Sequence, residues 1–302
     1  MPLTRSSAGF RASPETGRHA GPPLVLGALL VAVTACTQPQ QAPEPTTGIS
    51  GVADLKLPFD AYKPTPAQRA LLGNAHNLVV VRCMRRHGVT VHPPGTNQQA
   101  IAAADPGNTR RYGVVDPEQA ARFGYHLARP ASPPEASQWA ADLRQTARRH
   151  LYGKQGRPGC LNRAPDVLSR SAPEADWQWL AMQDARTLER AAKRAVVRRA
   201  VGKWAACMKA AGHSYPSPEA AIADPRWNLE GAEITTEEKR VAVADTSCKW
   251  SSGLVATWFT ADAELQRRIV LKHSDRFADL RDNLGKRLDR ATAMLERQGL
   301  TG

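Results

Sequence analysis

At 302 residues, 42% of them hydrophobic and 23% charged, the chain has ordinary globular composition, which excludes wholesale disorder and leaves room for one large or two small domains. The formal net charge is +13, and arginine outnumbers lysine 31 to 10. Abundant arginine and alanine are first the mark of a high-GC genome and only then of a binding surface.

The N-terminus reads as an export signal. Arg5, Arg11 and Arg18 form a positive lead, Leu24 to Val33 is apolar apart from Gly27, and Thr34-Ala35-Cys36 follows. That run is short of the roughly 20 apolar residues a membrane-spanning helix needs. Val33-Thr34-Ala35-Cys36 resembles a bacterial lipobox, so residues 1–35 are expected to be cleaved and Cys36 to carry the lipid. Without residues 1–35, which hold three arginines and Glu15, the exported chain keeps a charge of +11. A lipidated N-terminus and a Pro-, Gln- and Thr-rich tether are expected over 36–64.

Beyond the tether, helix-start signals recur at Thr65-Pro66-Ala67-Gln68, Ser132-Pro133-Pro134-Glu135, Ser171-Ala172-Pro173-Glu174 and Thr235-Thr236-Glu237-Glu238. Gly88, Gly153 and Gly212 follow helical patterns and suit a left-handed C-cap. The spacing predicts helices over roughly 66–87, 133–152, 172–211, 236–250 and 256–298, with a short one from Asp116 to Gly124. No useful period-2 run is present, so the fold is expected to be mainly α.

An internal repeat organises this series. Cys83-Met84-Arg85-Arg86-His87-Gly88, ending at Pro93-Pro94, recurs as Cys207-Met208-Lys209-Ala210-Ala211-Gly212, ending at Pro216-Ser217-Pro218. Each copy places its cysteine near a helix end and is followed by a second cysteine, Cys160 or Cys248. Two disulfide-stapled helical modules are therefore expected, over 65–170 and 171–302, the second with a long C-terminal helix. Five cysteines are odd for an exported chain; assigning Cys36 to lipid leaves Cys83, Cys160, Cys207 and Cys248. Three connectivities are possible. If each repeat closes on itself, the pairs are Cys83–Cys160 and Cys207–Cys248. Neither C-x-x-C nor H-x-x-x-H spacing occurs, so no metal is expected, and no cofactor.

Leu57-Pro58-Phe59-Asp60-Ala61-Tyr62, Arg82-Cys83-Met84 with Gly88, Phe123-Gly124-Tyr125-His126, Tyr152-Gly153 with Gly159-Cys160, Cys207-Met208 with Gly212, and Ala244-Asp245 with Cys248 carry a further likeness. Over most of 55–270 the chain resembles a group of secreted proteins and lipoproteins of high-GC Gram-positive (actinobacterial) bacteria that has no established activity. The resemblance implies location and a cysteine framework; it transfers no catalytic residue.

Catalytic motifs are absent: there is no Gly-rich phosphate loop, G-x-S-x-G or H-E-x-x-H. His76, His87, His92, His126, His150, His213 and His273 are scattered without informative spacing. The strongest charge feature is Arg186, Arg190, Lys193, Arg194, Arg198, Arg199 and Lys203 against Glu189 alone, a local +6 inside one expected helix. Arg186, Arg190, Arg194 and Arg198 would share one face, either merely solvated or suited to wall-polymer phosphates, lipid headgroups or an acidic envelope protein. The seven tryptophans are expected mainly in the core. Phe277, Leu280, Leu284, Leu288, Ala291 and Leu295 make an apolar stripe, equally compatible with a homodimer seam and an internal contact.

These features lead to an expected non-enzymatic lipoprotein on the outer face of the cytoplasmic membrane, held by its N-terminal lipid and acting as a binding or accessory module. An exported location speaks against nucleic acid. The alternatives are an envelope enzyme acting on a wall polymer, with a site near Tyr125-His126 or His150-Tyr152, and an accessory subunit of an export system.

Overall fold

Thr65 starts the first long helix through a reciprocal cap. Its Oγ1 accepts from the Gln68 amide at 3.2 Å, while Gln68 Oε1 accepts from the Thr65 amide at 2.9 Å. Pro66 occupies the first helical position, where a missing N–H is harmless, and α1 runs Pro66–Arg86. The computed structural model describes residues 48–127 and 139–299; Cys36, the expected signal peptide, the tether up to residue 47 and the Ser132 start signal lie outside them, while the described end of the expected tether is packed rather than solvated, with Leu55, Leu57 and Phe59 buried.

The helices after α1 are α2 (Gln98–Ala104), α3 (Pro117–Phe123), α4 (Gln145–Tyr152), α5 (Cys160–Ser169), α6 (Trp177–Ala192), α7 (Ala195–Ala210), α8 (Pro218–Ile222), α9 (Thr236–Ser251), α10 (Leu254–Lys272) and α11 (Ser274–Glu296). The only described sheet is a two-residue antiparallel pair, β1 (Gly153–Lys154) with β2 (Arg157–Pro158), which turns the chain from α4 into α5. The protein is mainly helical, as its periodicity predicts. No described helix is long and apolar enough to cross a membrane.

Both disulfides close within their own repeat: Cys83–Cys160 and Cys207–Cys248, each with Cα atoms 5.6 Å apart. The repeat is also structural. After α1, the Gly88 amide donates to the Arg85 carbonyl at 2.9 Å and the Val89 amide to Met84 at 3.1 Å; after α7, Gly212 donates to Lys209 at 3.1 Å and His213 to Met208 at 2.9 Å. Both glycines have left-handed φ, +71° and +87°, as this helix-ending motif requires. Met84 and Met208 are both fully buried. The likeness stops there, since Cys160 opens α5 whereas Cys248 lies near the end of α9.

Two cores form, and they do not follow the expected boundary at residue 170. Val80, Met84, Leu151, Leu168, Ala291 and Leu295 build one from α1, α4, α5 and the far half of α11. Tyr112, Val115, Tyr125, Val197, Trp204, Trp227 and Val255 build the other, so the 112–125 stretch belongs with the later helices. Phe59, Trp179, Leu180, Phe277 and Leu280 form a smaller third cluster. The α11 stripe is thus consumed within the chain, Phe277 and Leu280 in the third cluster and Leu284, Leu288, Ala291 and Leu295 against α1 and α5.

Three expected helices are shorter than the periodicity suggested. Residues 172–211 split at Lys193 and Arg194, where Arg194 is extended (ψ 141°). On an unbroken helix the buried Ala191 and Val197 would point about 120° apart, at 100° per residue; the break aims both at the same core. Residues 256–298 split at His273 (φ −125°, ψ 39°). Continuous, they would extend about 65 Å; divided, α10 packs on α6 and α7 while α11 packs on α1. Residues 139–144 are turns, and α4 begins only at Gln145. Ser171 has φ +62° and caps nothing; Asp176 starts α6 instead, its Oδ1 accepting from the Trp179 amide at 2.8 Å.

Candidate functional site

The predicted basic run survives as charge but not as one stripe. Arg186 and Arg190 lie on α6, Lys193 and Arg194 in the break, and Arg198 and Arg199 on α7. All but Arg194 are exposed. Arg194 Nη1 binds Glu264 Oε2 on α10 at 2.5 Å, and Glu264 also binds Arg268. That pairing removes the centre of the expected face from solution chemistry.

A second basic group lies on the segments that the Cys83–Cys160 bond ties together. Arg85-Arg86-His87 ends α1, and a second Arg-Arg-His, Arg148-Arg149-His150, lies in the last turns of α4. The two imidazoles stack, with ring centroids 4.2 Å apart and planes at 12°. Lys154 and Arg157 occupy the adjoining β1–β2 hairpin and Arg163 sits on α5; all of these cations are exposed, and among the described residues none is in a salt bridge. Cations suit these positions because both helices end there and present carbonyl oxygens, the negative pole of the helix. The tripeptide repeat was a readable signal, but only the folded α1, α4 and α5 core and its disulfide bring the copies together.

The charged cleft beside α6 is different. It encloses about 820 Å³ and is lined by Lys63, Arg69, Asp105, Arg110, Arg111 and Asp184 among others. Its cations are already spoken for. Arg111 binds Asp262 at 2.6 Å and Asp184 at 3.0 Å, Lys63 binds Asp184 at 2.8 Å, and Arg69 binds Asp105 at 2.5 Å. Arg110 donates to the carbonyls of Tyr125 (2.5 Å) and His126 (3.1 Å).

The Tyr125-His126 cluster is closed rather than catalytic in shape. Glu238 Oε1 accepts from the amides of Tyr125 (2.7 Å) and His126 (3.3 Å) and lies 2.8 Å from His126 Nδ1, and Glu238 is fully buried. Thr235 caps α9 by accepting the Glu238 amide, but the Glu238 carboxylate serves the 125–126 backbone instead of reaching back to the cap. Gly124 permits the approach: its φ is +56°, and a Cβ there would fall 2.4 Å from Glu238 Oε1.

Two to three turns further along α9, Lys249 Nζ donates to Asp245 Oδ2 (2.7 Å) and to the Val114 carbonyl (3.0 Å). Trp204 Nε1 donates to Asp245 Oδ1 at 2.9 Å. Burial pushes the Asp245 carboxyl up and the Lys249 ammonium down from their ordinary values. Burial likewise raises the Tyr112 and Tyr125 phenols. These groups grip the 112–126 backbone and face no opening. At the other expected enzyme locus, His150 stacks on His87 and Tyr152 lies 6.0 Å from the Arg148 guanidinium.

Of the tryptophans, Trp179, Trp204, Trp227 and Trp258 are buried, while Trp139, Trp177 and Trp250 are partly covered. Compared with known protein families, with curated proteins and with solved structures, the chain matches none.

Proposed function

We propose that the protein is a non-enzymatic, lipid-anchored envelope module that binds a phosphate-bearing wall polymer through the paired Arg-Arg-His segments of α1 and α4. The supporting observation is that the segments carrying these exposed, unbridged cations, on α1, α4, the hairpin and α5, are held together by one disulfide and the His87–His150 stack. Guanidinium groups present a planar fork that accepts phosphate oxygens bidentately, and they remain charged at any physiological pH. The disulfide fixes the backbone segments that carry them, so less chain freedom is lost on binding. The charge left after export, +11, adds long-range attraction for a polyanion.

Cys36 stands as the proposed lipid site and the outer face of the cytoplasmic membrane as the proposed location. Protein with Cys36→Ser, soluble for lack of lipid, should bind a poly(glycerol phosphate) chain of defined length, with affinity falling steeply as salt rises past the point where exposed charges are screened within about 8 Å. Affinity independent of salt would reject the reading. Equal binding to phosphatidylglycerol vesicles and none to the polymer would transfer the site to the membrane surface.

A further inference from the structure

The Cys83–Cys160 bond has a neighbour that the Cys207–Cys248 bond lacks. A ring nitrogen of His87 and the two sulfur atoms all lie within 4.8 Å of one another. His87 stands four residues after Cys83, so one face of α1 carries both. In the second repeat that place is taken by Ala211, and Cys207 Sγ lies 3.8 Å from Ser251 Oγ, a hydroxyl rather than an imidazole. His150, stacked on His87 at 4.2 Å, keeps a second imidazole beside the cluster. Cys160 is the first residue of the ten-residue α5, where a helix N-terminus favours the thiolate form.

We infer that reduction of Cys83–Cys160 turns this cluster into a binding site for a borderline-soft divalent cation, Zn²⁺ in the first instance, held by Cys83, Cys160 and His87 with His150 or water in the fourth position. A dithiol donor supplies two electrons and two protons to the sulfur–sulfur bond and becomes a disulfide itself. Zn²⁺ then displaces the two thiol protons to solvent and binds two thiolates and one neutral imidazole. Donors at about 2.0–2.3 Å around a tetrahedral ion lie within about 4 Å of each other, so the cluster needs the sulfurs to part and little else. Mixed sulfur and imidazole ligation is the donor set zinc prefers. The sulfurs are buried, and His87 is exposed, so the metal enters from the histidine side. This inference does not depend on polymer binding, and either can fail alone.

The test uses the full chain with Cys36→Ser, which removes the fifth thiol, reduced with a phosphine so that no competing thiol remains. Titration with Zn²⁺ against a chromophoric chelator should show one equivalent bound by the reduced protein and none by the oxidised protein. His87→Ala should weaken binding at least about tenfold, while His213→Ala, beside the second repeat's capping glycine, should leave it unchanged. Should His87→Ala compromise folding, X-ray absorption on the unsubstituted zinc complex counts the ligands directly, and two sulfurs with one or two imidazole nitrogens are expected. Equal zinc binding by reduced and oxidised protein, an unaffected His87→Ala variant, or a coordination shell without two sulfurs would overturn the assignment.

Discussion

His87 and His150 lie 63 positions apart in the chain, yet their rings stack at 4.2 Å because Cys83, one turn before His87, is bonded to Cys160 at the start of α5. The disulfide and the core shared by α1, α4 and α5 together make two basic tripeptides into one surface. Loops of 77 and 41 residues are closed by the two bonds, for which the chain-entropy model gives upper estimates of about 4.5 and about 3.9 kcal/mol. Cys83→Ser with Cys160→Ser should therefore lower the denaturant midpoint more than Cys207→Ser with Cys248→Ser. Urea unfolding followed by circular dichroism checks the order.

Gly124→Ala should destabilise by roughly 2–4 kcal/mol, because the new Cβ meets Glu238 Oε1 at 2.4 Å and the residue has positive φ. Gly202→Ala offers the opposite outcome. Gly202 lies inside α7, exposed, with nothing within 4 Å of an added Cβ, so the change should stabilise by about 0.5–1 kcal/mol. Thermal unfolding of both variants measures the contrast; equal effects would mean that the Gly124–Glu238 contact carries no energy.

Lys249→Met should cost about 3–5 kcal/mol at neutral pH, since it leaves Asp245 buried without its cation. The pH dependence follows from the Asp245 carboxyl, already pushed up by burial. With its folded value above its unfolded value, the protonated form favours the folded state, so the variant's deficit should shrink as pH falls and be complete above the folded value. Adding Asp245→Asn, which keeps an acceptor for Trp204 Nε1, should remove that pH dependence. Unfolding midpoints compared between pH 5 and 8 decide it.

His76, half-buried on α1, is pushed below the ordinary histidine value by desolvation. For a base with a lowered folded value, protonation favours the unfolded chain, so stability is lost as pH drops through about 6.5 toward the folded value. His76→Gln should flatten that part of the stability profile relative to the unsubstituted protein. An unchanged slope would place the acid sensitivity elsewhere.

Capping chemistry is local, so the starts at Thr65, Asp116 and Thr235 were legible, as was the glycine-ended repeat. The breaks at Lys193–Arg194 and His273 were not, because neither contains proline or glycine and both arise from the need to turn apolar faces onto different cores. Glu238, Asp245 and Lys249 share one face of α9 and read like a solvated pattern. Glu238 and Lys249 are buried because the 112–126 backbone supplies their partners, and Asp245 because Lys249 and Trp204 do; sequence spacing carries no trace of where that segment packs. The basic surface was half legible: the run from Arg186 stands out as a block, whereas the two Arg-Arg-His segments are short, separate and united only by tertiary structure.

The polymer-binding proposal stands or falls on which cations matter. Arg148→Glu with Arg149→Glu alters the α4 segment, and Arg198→Glu with Arg199→Glu alters α7; both pairs are exposed and replace one good helix former by another. Binding of poly(glycerol phosphate) to the Cys36→Ser protein at low salt, measured calorimetrically with circular dichroism as the folding control, compares them directly. The account predicts that the α4 reversal abolishes binding and the α7 reversal reduces it only slightly, through net charge. Loss of binding on the α7 reversal with the α4 variant unaffected would contradict it.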